Sequence, residues 1–187
     1  MFFNKEKYRT ETSIISGCID QKRAAQKALW NNYKDILFGI CLRYSKNQKD
    51  AEEILQEGFI KIFNSLTKYS AKGSFEGWMK RIMIFTAIDY HRAKKPEFLN
   101  EKEDTDIEKE TEAYIEEGID ANTIIELMHQ LPDGYRMVLN LYAIEGFTHK
   151  EISQKLNISQ GTSKSQLAKA RKYFSNILKA HHIETGA

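Results

Sequence analysis

The 187-residue chain is 41% apolar and 11% aromatic, enough to bury one ordinary core or two small ones, which excludes a wholly disordered polypeptide. Two prolines and ten glycines leave few breakers and argue for helices over a turn-rich β architecture. The formal charge of +2 is uneven: eleven acids and two bases between Glu97 and Asp120 give that stretch −9 and leave +11 on the remainder. Two basic modules with an anionic partner, joined by an acidic tether, would carry such a pattern.

No apolar run approaches the roughly 18 residues of a membrane span. The opening residues Met1-Phe2-Phe3-Asn4-Lys5-Glu6-Lys7-Tyr8 lack the apolar stretch of a secretory leader, so the expected location is the cytoplasm. Cys18 and Cys41 lack metal or redox spacing and read as small buried hydrophobes.

In chain order, the first predicted helix spans 22–44, with Leu29, Tyr33, Ile36, Leu37 and Ile40 as its apolar stripe. The second spans 50–66, with Ile54, Leu55, Phe59, Ile62, Phe63 and Leu66 on one face and Glu53, Gln56, Glu57, Lys61 and Asn64 opposite. A loop over 68–74 closes on Ser74 as N-cap. The third helix, 74–94, is lined by Trp78, Ile82, Phe85 and Ile88, and the module 1–95 becomes a bundle of about three helices. Pro96 opens the acidic linker, 96–122, which lacks sustained apolar periodicity. The second module, 123–187, begins a helix at Leu131-Pro132-Asp133, with Met137, Val138, Leu141 and Tyr142 as its apolar side and Gly146 at its end. Thr148 and Glu151 fit a capping box. Ile152 and Leu156 anchor that short helix, Asn157 starts a turn, and Ser159 caps a last helix to about residue 179.

A short helix, a three-residue turn and a capped second helix make a helix-turn-helix. Leu167, Ala170, Phe174, Ile177 and Leu178 recur at helical spacing and should face the core. A helix entering the major groove needs polar side chains near its N-terminal end for base edges and cations along its flanks for phosphates. Gln160, Lys164, Ser165 and Gln166 suit the first task. Lys169, Arg171 and Lys172 suit the second, and Gly161 and Ala168 allow close approach. A generic basic helical hairpin would share the periodicity, so the pattern alone leaves that reading open.

The residues also resemble a known family. Leu131-Pro132-Asp133-Gly134-Tyr135-Arg136, Glu145-Gly146-Phe147-Thr148-His149-Lys150-Glu151-Ile152, and Ile158-Ser159-Gln160-Gly161-Thr162-Ser163-Lys164-Ser165-Gln166-Leu167 with Ala170-Arg171 resemble region 4 of extracytoplasmic-function sigma factors. Asp50-Ala51-Glu52-Glu53-Ile54-Leu55-Gln56-Glu57-Gly58-Phe59 resembles region 2.2. Phe75-Glu76-Gly77-Trp78-Met79-Lys80-Arg81-Ile82 with Ala87-Ile88-Asp89-Tyr90-His91-Arg92 resembles regions 2.3 and 2.4.

The resemblance implies an all-α chain of two small helical domains that binds RNA polymerase core and reads promoter DNA. It implies minus-35 contacts from Gln160, Thr162, Lys164, Ser165, Gln166, Ala168, Lys169, Arg171 and Lys172. It implies docking on the β′ clamp of core through Asp50, Glu53, Gln56 and Glu57, which otherwise read as a solvated acidic face. Minus-10 recognition with melting by capture of a flipped base falls to Tyr69 and Phe75 as pocket candidates, with Thr86 nearby and Lys80, Arg81, His91, Arg92, Lys94 and Lys95 for phosphates. Phe85 stands where many members carry asparagine, which leaves two readings open: an altered minus-10 specificity, if that asparagine reads a base, or a Phe85 turned wholly into the core. An anti-sigma factor, often membrane-anchored in the family, is a further partner that the resemblance implies.

The scattered His91, His129, His149, His181 and His182, with no triad, phosphate loop or ligand spacing, point away from an enzyme and imply no metal or cofactor. A stand-alone helix-turn-helix regulator and a sigma-like adaptor without promoter activity remain as alternatives.

Overall fold

The computed structural model describes residues 8–94 and 120–185, with side chains as far as residue 181; the expected linker, 96–122, lies outside the described residues except for its last three positions. Among the described residues there are eight α-helices and no strand. Backbone contacts divide them into two compact units, one of residues up to Cys41 with Gln48–Ala87, the other of Leu42–Asn47 with the residues from Ile88 onward. No helix among the described residues is long and apolar enough to cross a membrane.

The first unit opens with a helix that periodicity did not reveal, α1 (Glu11–Ile19). Thr10 and Ser13 cap each other's backbone N–H groups at 3.2 Å, a box built with serine in the position usually held by Glu or Gln. Its end is a Schellman motif: Gln21 takes φ 57°, Lys22 N–H donates to Gly17 O at 2.8 Å and Gln21 N–H to Cys18 O at 2.9 Å. Gly17 lets α1 lie close on Ala25 of α2 (Arg23–Tyr44), since a Cβ at Gly17 would come within 2.6 Å of the Ala25 methyl.

Helix α3 (Gln48–Ser65) buries Ile54, Leu55, Phe59 and Ile62, as its spacing predicts, and is followed by a 3₁₀ turn, Leu66–Lys68. Helix α4 (Phe75–Lys94) follows, with the hydroxyl of Ser74 accepting from Gly77 N–H at 3.0 Å. Its buried seam differs from the expected one. Phe75, Met79, Met83 and Ala87 are fully buried, whereas Trp78, Ile82 and Phe85 are only partly so. Apolar residues surround most of this helix, and a period without contrast does not fix which face turns inward. Ile36, expected in the α2 stripe, is likewise 46% exposed. Cys18 and Cys41 are buried, and burial pushes their thiols up to about 11 and about 12. They act as small hydrophobes.

The second unit contains another helix not foreseen, α5 (Ala121–His129), which begins inside the stretch expected as linker. Asp120 caps it, accepting from the Thr123 hydroxyl at 2.6 Å, Thr123 N–H at 3.2 Å and Asn122 N–H at 2.8 Å; these bonds, the hydroxyl's first, hold its carboxyl below the usual range. Leu127, Met128 and Leu131 pack with Phe174 and Leu178 into one cluster. Helix α6 (Asp133–Leu139) starts one residue after Pro132, and the buried Arg136 ties that start together through Asp133 Oδ1 at 2.6 Å and Leu131 O at 3.0 Å. A π-helical turn, Asn140–Ile144, prolongs α6, and Gly146 with φ 73° ends it.

Candidate nucleic-acid interface

Helix α7 (His149–Leu156) and helix α8 (Gln160–Thr185) form the helix-turn-helix that the spacing predicts. The box at the start of α7 is complete: Thr148 N–H donates to Glu151 Oε2 at 2.9 Å and Glu151 N–H to Thr148 Oγ1 at 3.3 Å. Asn157 takes φ 56°, and Ile158 N–H returns to Ser153 O at 3.1 Å, so the turn is another Schellman closure. The hydroxyl of Ser159 accepts from Thr162 N–H at 2.8 Å and starts α8. Each device acts locally, which explains why the sequence displays it.

The 26-residue α8 divides its faces. Leu167, Ala170, Phe174 and Leu178 are buried. Gln160, Lys164 and Lys172 are exposed, and Ala168 falls between them, half-buried, at the same four-residue spacing. Thr162, Ser165, Lys169 and Arg171 are partly exposed on adjoining faces. A stripe of polar and cationic side chains with one small residue therefore runs along the outside of the helix. Gln166 is a correction. It is only 2% exposed and its amide is among the buried groups lacking a hydrogen-bond partner, so it does not offer itself to a base from this position. Residue 166 adjoins the buried register at 167 and 170, and helix geometry turns it inward.

Sequence reasoning missed a cluster behind this stripe. His149 Nδ1 lies 2.9 Å from Ser163 Oγ, and Ser163 is fully buried. The Tyr142 ring stacks on His149 at 4.7 Å and 25°, and the Arg171 guanidinium lies 5.7 Å from the Tyr142 centroid. Burial, then the charges of Lys164 and Arg171, hold the imidazole below its ordinary value of 6.5. Tyr142 is 36% exposed rather than core as expected. One signal was available: Ser163 occupies the register of Leu167, Ala170 and Phe174, and a polar residue in a core register needs a partner.

In the first unit, Tyr69, Phe75 and Trp78 form a contiguous aromatic group, with centroids 5.1 Å, 5.4 Å and 5.6 Å apart. The Tyr69 hydroxyl donates to Gly73 O at 2.6 Å and closes the loop before α4. Tyr69 and Trp78 are partly exposed, but Phe75 is wholly buried. It backs the group instead of forming its accessible surface, a correction to the expected pocket. Two more expected contacts are turned inward. Thr86 is fully buried and its hydroxyl donates to Ile82 O at 2.8 Å; His91 is 6% exposed with Nε2 at 2.7 Å from Tyr44 O. Both lie on the buried side of α4 that the sequence misassigned. Arg81 and Arg92 are exposed, Lys80 is half-buried and paired with Glu76 at 2.6 Å, and Arg81 lies 5.8 Å from the Phe85 centroid.

The outer face of α3 presents Glu53, Gln56 and Glu57, with Asp50 half-buried and Glu57 bridged to Lys61 at 3.0 Å. Ile60, one turn beyond Glu57 and Gln56, is 60% exposed beside these groups. That solvated face joins carboxylates to one apolar side chain.

The sigma-70 region 2 family model matches residues 29–97, and the sigma-70 region 4 model matches residues 121–174. The chain is 30% identical over 183 residues to the ECF RNA polymerase sigma factor SigE of Mycolicibacterium smegmatis, covering 94% of this chain and 70% of that protein. It is 32% identical over 151 residues to the ECF RNA polymerase sigma factor SigW of Bacillus subtilis, covering 74% of this chain and 81% of its relative. Its fold is similar to that of the sigma factor RpoE of Bartonella quintana, solved in complex with the anti-sigma factor NepR, with a TM-score of 0.50 at 18% identity over 82% of this chain and 96% of that one.

Proposed function

The chain belongs to the extracytoplasmic-function family of RNA polymerase sigma factors, and from that premise we propose that it binds core polymerase, reads the minus-10 and minus-35 elements of a promoter and melts the promoter by capturing a flipped base at the minus-10 element. The observation that carries the minus-35 part is α8, a capped helix with Gln160, Lys164, Ala168 and Lys172 along its outer face. Base edges fall to Gln160, Lys164 and Ser165, and phosphates to Lys169, Arg171 and Lys172.

Core docking falls to the α3 face of Asp50, Glu53, Gln56 and Glu57. Carboxylates there favour orientation and encounter rate with a cationic partner surface more than raw affinity. Melting without nucleotide hydrolysis draws on binding energy. Unstacking a base costs a few kcal/mol, and stacking on an aromatic returns about 1–3 kcal/mol per base. The partly exposed Tyr69 and Trp78, backed by Phe75, offer such a surface, and Lys80, Arg81 and Arg92 supply cations for the adjoining phosphates. An anti-sigma factor, the partner in the solved RpoE complex, is proposed as the restraint on this chain too.

The test is purification with core polymerase followed by run-off transcription from start sites mapped after overexpression. A transcript that requires both core and this chain is expected. Duplex binding without core association would identify a lone regulator instead, and core association without a transcript an adaptor.

A further inference from the structure

We propose that His149 and Ser163 form a polar latch that fixes the rotation of α8 against α7, which makes His149 a positioning residue for minus-35 reading; the proposal rests on the promoter-reading function above. Apart from Gln166, whose buried amide has no hydrogen-bond partner and so fixes no direction, the buried side of α8 is otherwise apolar, with Leu167, Ala170, Phe174 and Leu178. Apolar packing resists separation but is non-directional and tolerates small rotations. A hydrogen bond has a preferred angle, and a fully buried hydroxyl is costly to leave without a partner. The bond of 2.9 Å between Ser163 Oγ and His149 Nδ1 therefore selects one rotation.

His149 is itself held. It is the first residue of α7, directly after the reciprocal Thr148–Glu151 cap, and the Tyr142 ring fixes its plane by stacking. Arg171, two turns along α8 from Ser163, also sets its guanidinium against the Tyr142 ring, 5.7 Å from the centroid. Three successive elements, the π turn, α7 and α8, thus meet on one imidazole. The serine hydroxyl can donate or accept, so the bond forms with either tautomer. Lys164 follows Ser163 in sequence, and each residue is 100° around the helix from the last. Rotation released at residue 163 would carry the Lys164 side chain off its base edge.

The experiment uses the full chain with core polymerase and duplexes selected from a randomised minus-35 pool by the wild-type holoenzyme. His149→Phe keeps the stack on Tyr142 but removes the hydrogen bond; Ser163→Ala removes the other partner. Each is expected to lower affinity for the selected duplex about three- to tenfold, the range of one hydrogen bond. Affinity for scrambled duplex and for core should stay unchanged, so the specificity ratio falls by the same factor. The double variant should be no worse than either single one, and His149→Asn, which retains a polar atom near Nδ1, should restore affinity to within about threefold. Additive losses, a wild-type specificity ratio in His149→Phe, or equal losses on scrambled duplex would overturn the latch. Should the wild-type holoenzyme yield no transcript, the promoter reading falls. The latch is then judged by the imidazole ¹⁵N resonances of the free chain: unchanged Nδ1 shifts in Ser163→Ala would overturn it, and a displaced Nδ1 would uphold it.

Discussion

At the residue scale, Lys164 and Thr148 do different work within one motif. Lys164 is exposed on the outer face of α8 and makes no part of the core. Lys164→Ala is therefore expected to weaken minus-35 binding while core affinity and melting temperature hold, measured by duplex binding to holoenzyme alongside thermal unfolding. Thr148→Ala removes half of the α7 box and should lower unfolding free energy by about 1 kcal/mol, read from urea denaturation. His149 adds a dependence on pH. Its folded value lies below the 6.5 of an unstructured chain, so its neutral form is favoured by folding. That contribution is present above pH 6.5 and fades as pH falls through and below that value. Acidification from pH 7.5 to 5.5 should thus destabilise the native chain more than His149→Asn, compared by thermal unfolding in matched buffers.

The element scale shows what the sequence displays and what it hides. The caps at Thr148 and Ser159 and the turns at Asn157 and Gly146 were readable because each is a local rule about one or two side chains. The α3 stripe was readable because polar residues alternate with it at helical period. On α4 that contrast is missing, so Phe75, Thr86 and His91 were assigned to the outside when tertiary packing draws them in. Helices α1 and α5 escaped notice for another reason. Each is nine residues long, too short for periodicity to stand out, and each depends on a cap and on neighbours for stability. Gly17 is where α1 meets α2, and Gly17→Ala should cost about 1–3 kcal/mol by crowding Ala25 and Tyr8, measured by chemical denaturation.

At the scale of the whole molecule, charge is the organising quantity. The stretch from Glu97 to Asp120 carries −9 against +11 elsewhere. Replacing its acids with Gln and Ser should raise the affinity of the core-free chain for random duplex at low salt and steepen the fall of affinity with salt, measured by fluorescence anisotropy across a salt series. The residues proposed for the interfaces were named in family terms across α3, α4 and α8. Their accessibility was not legible, because burial is set by contacts between segments distant in sequence.

The division of α8 into two registers bears on how such a protein changes over time. Positions 160, 164, 168 and 172 lie toward solvent or partly so, while 167, 170, 174 and 178 lie within. On the proposed reading of α8, substitutions in the outward set would retune which promoters are chosen without loosening the fold, and those in the inward set would erode stability whatever the promoter. On that reading a new regulon would be reachable by single steps through folded intermediates.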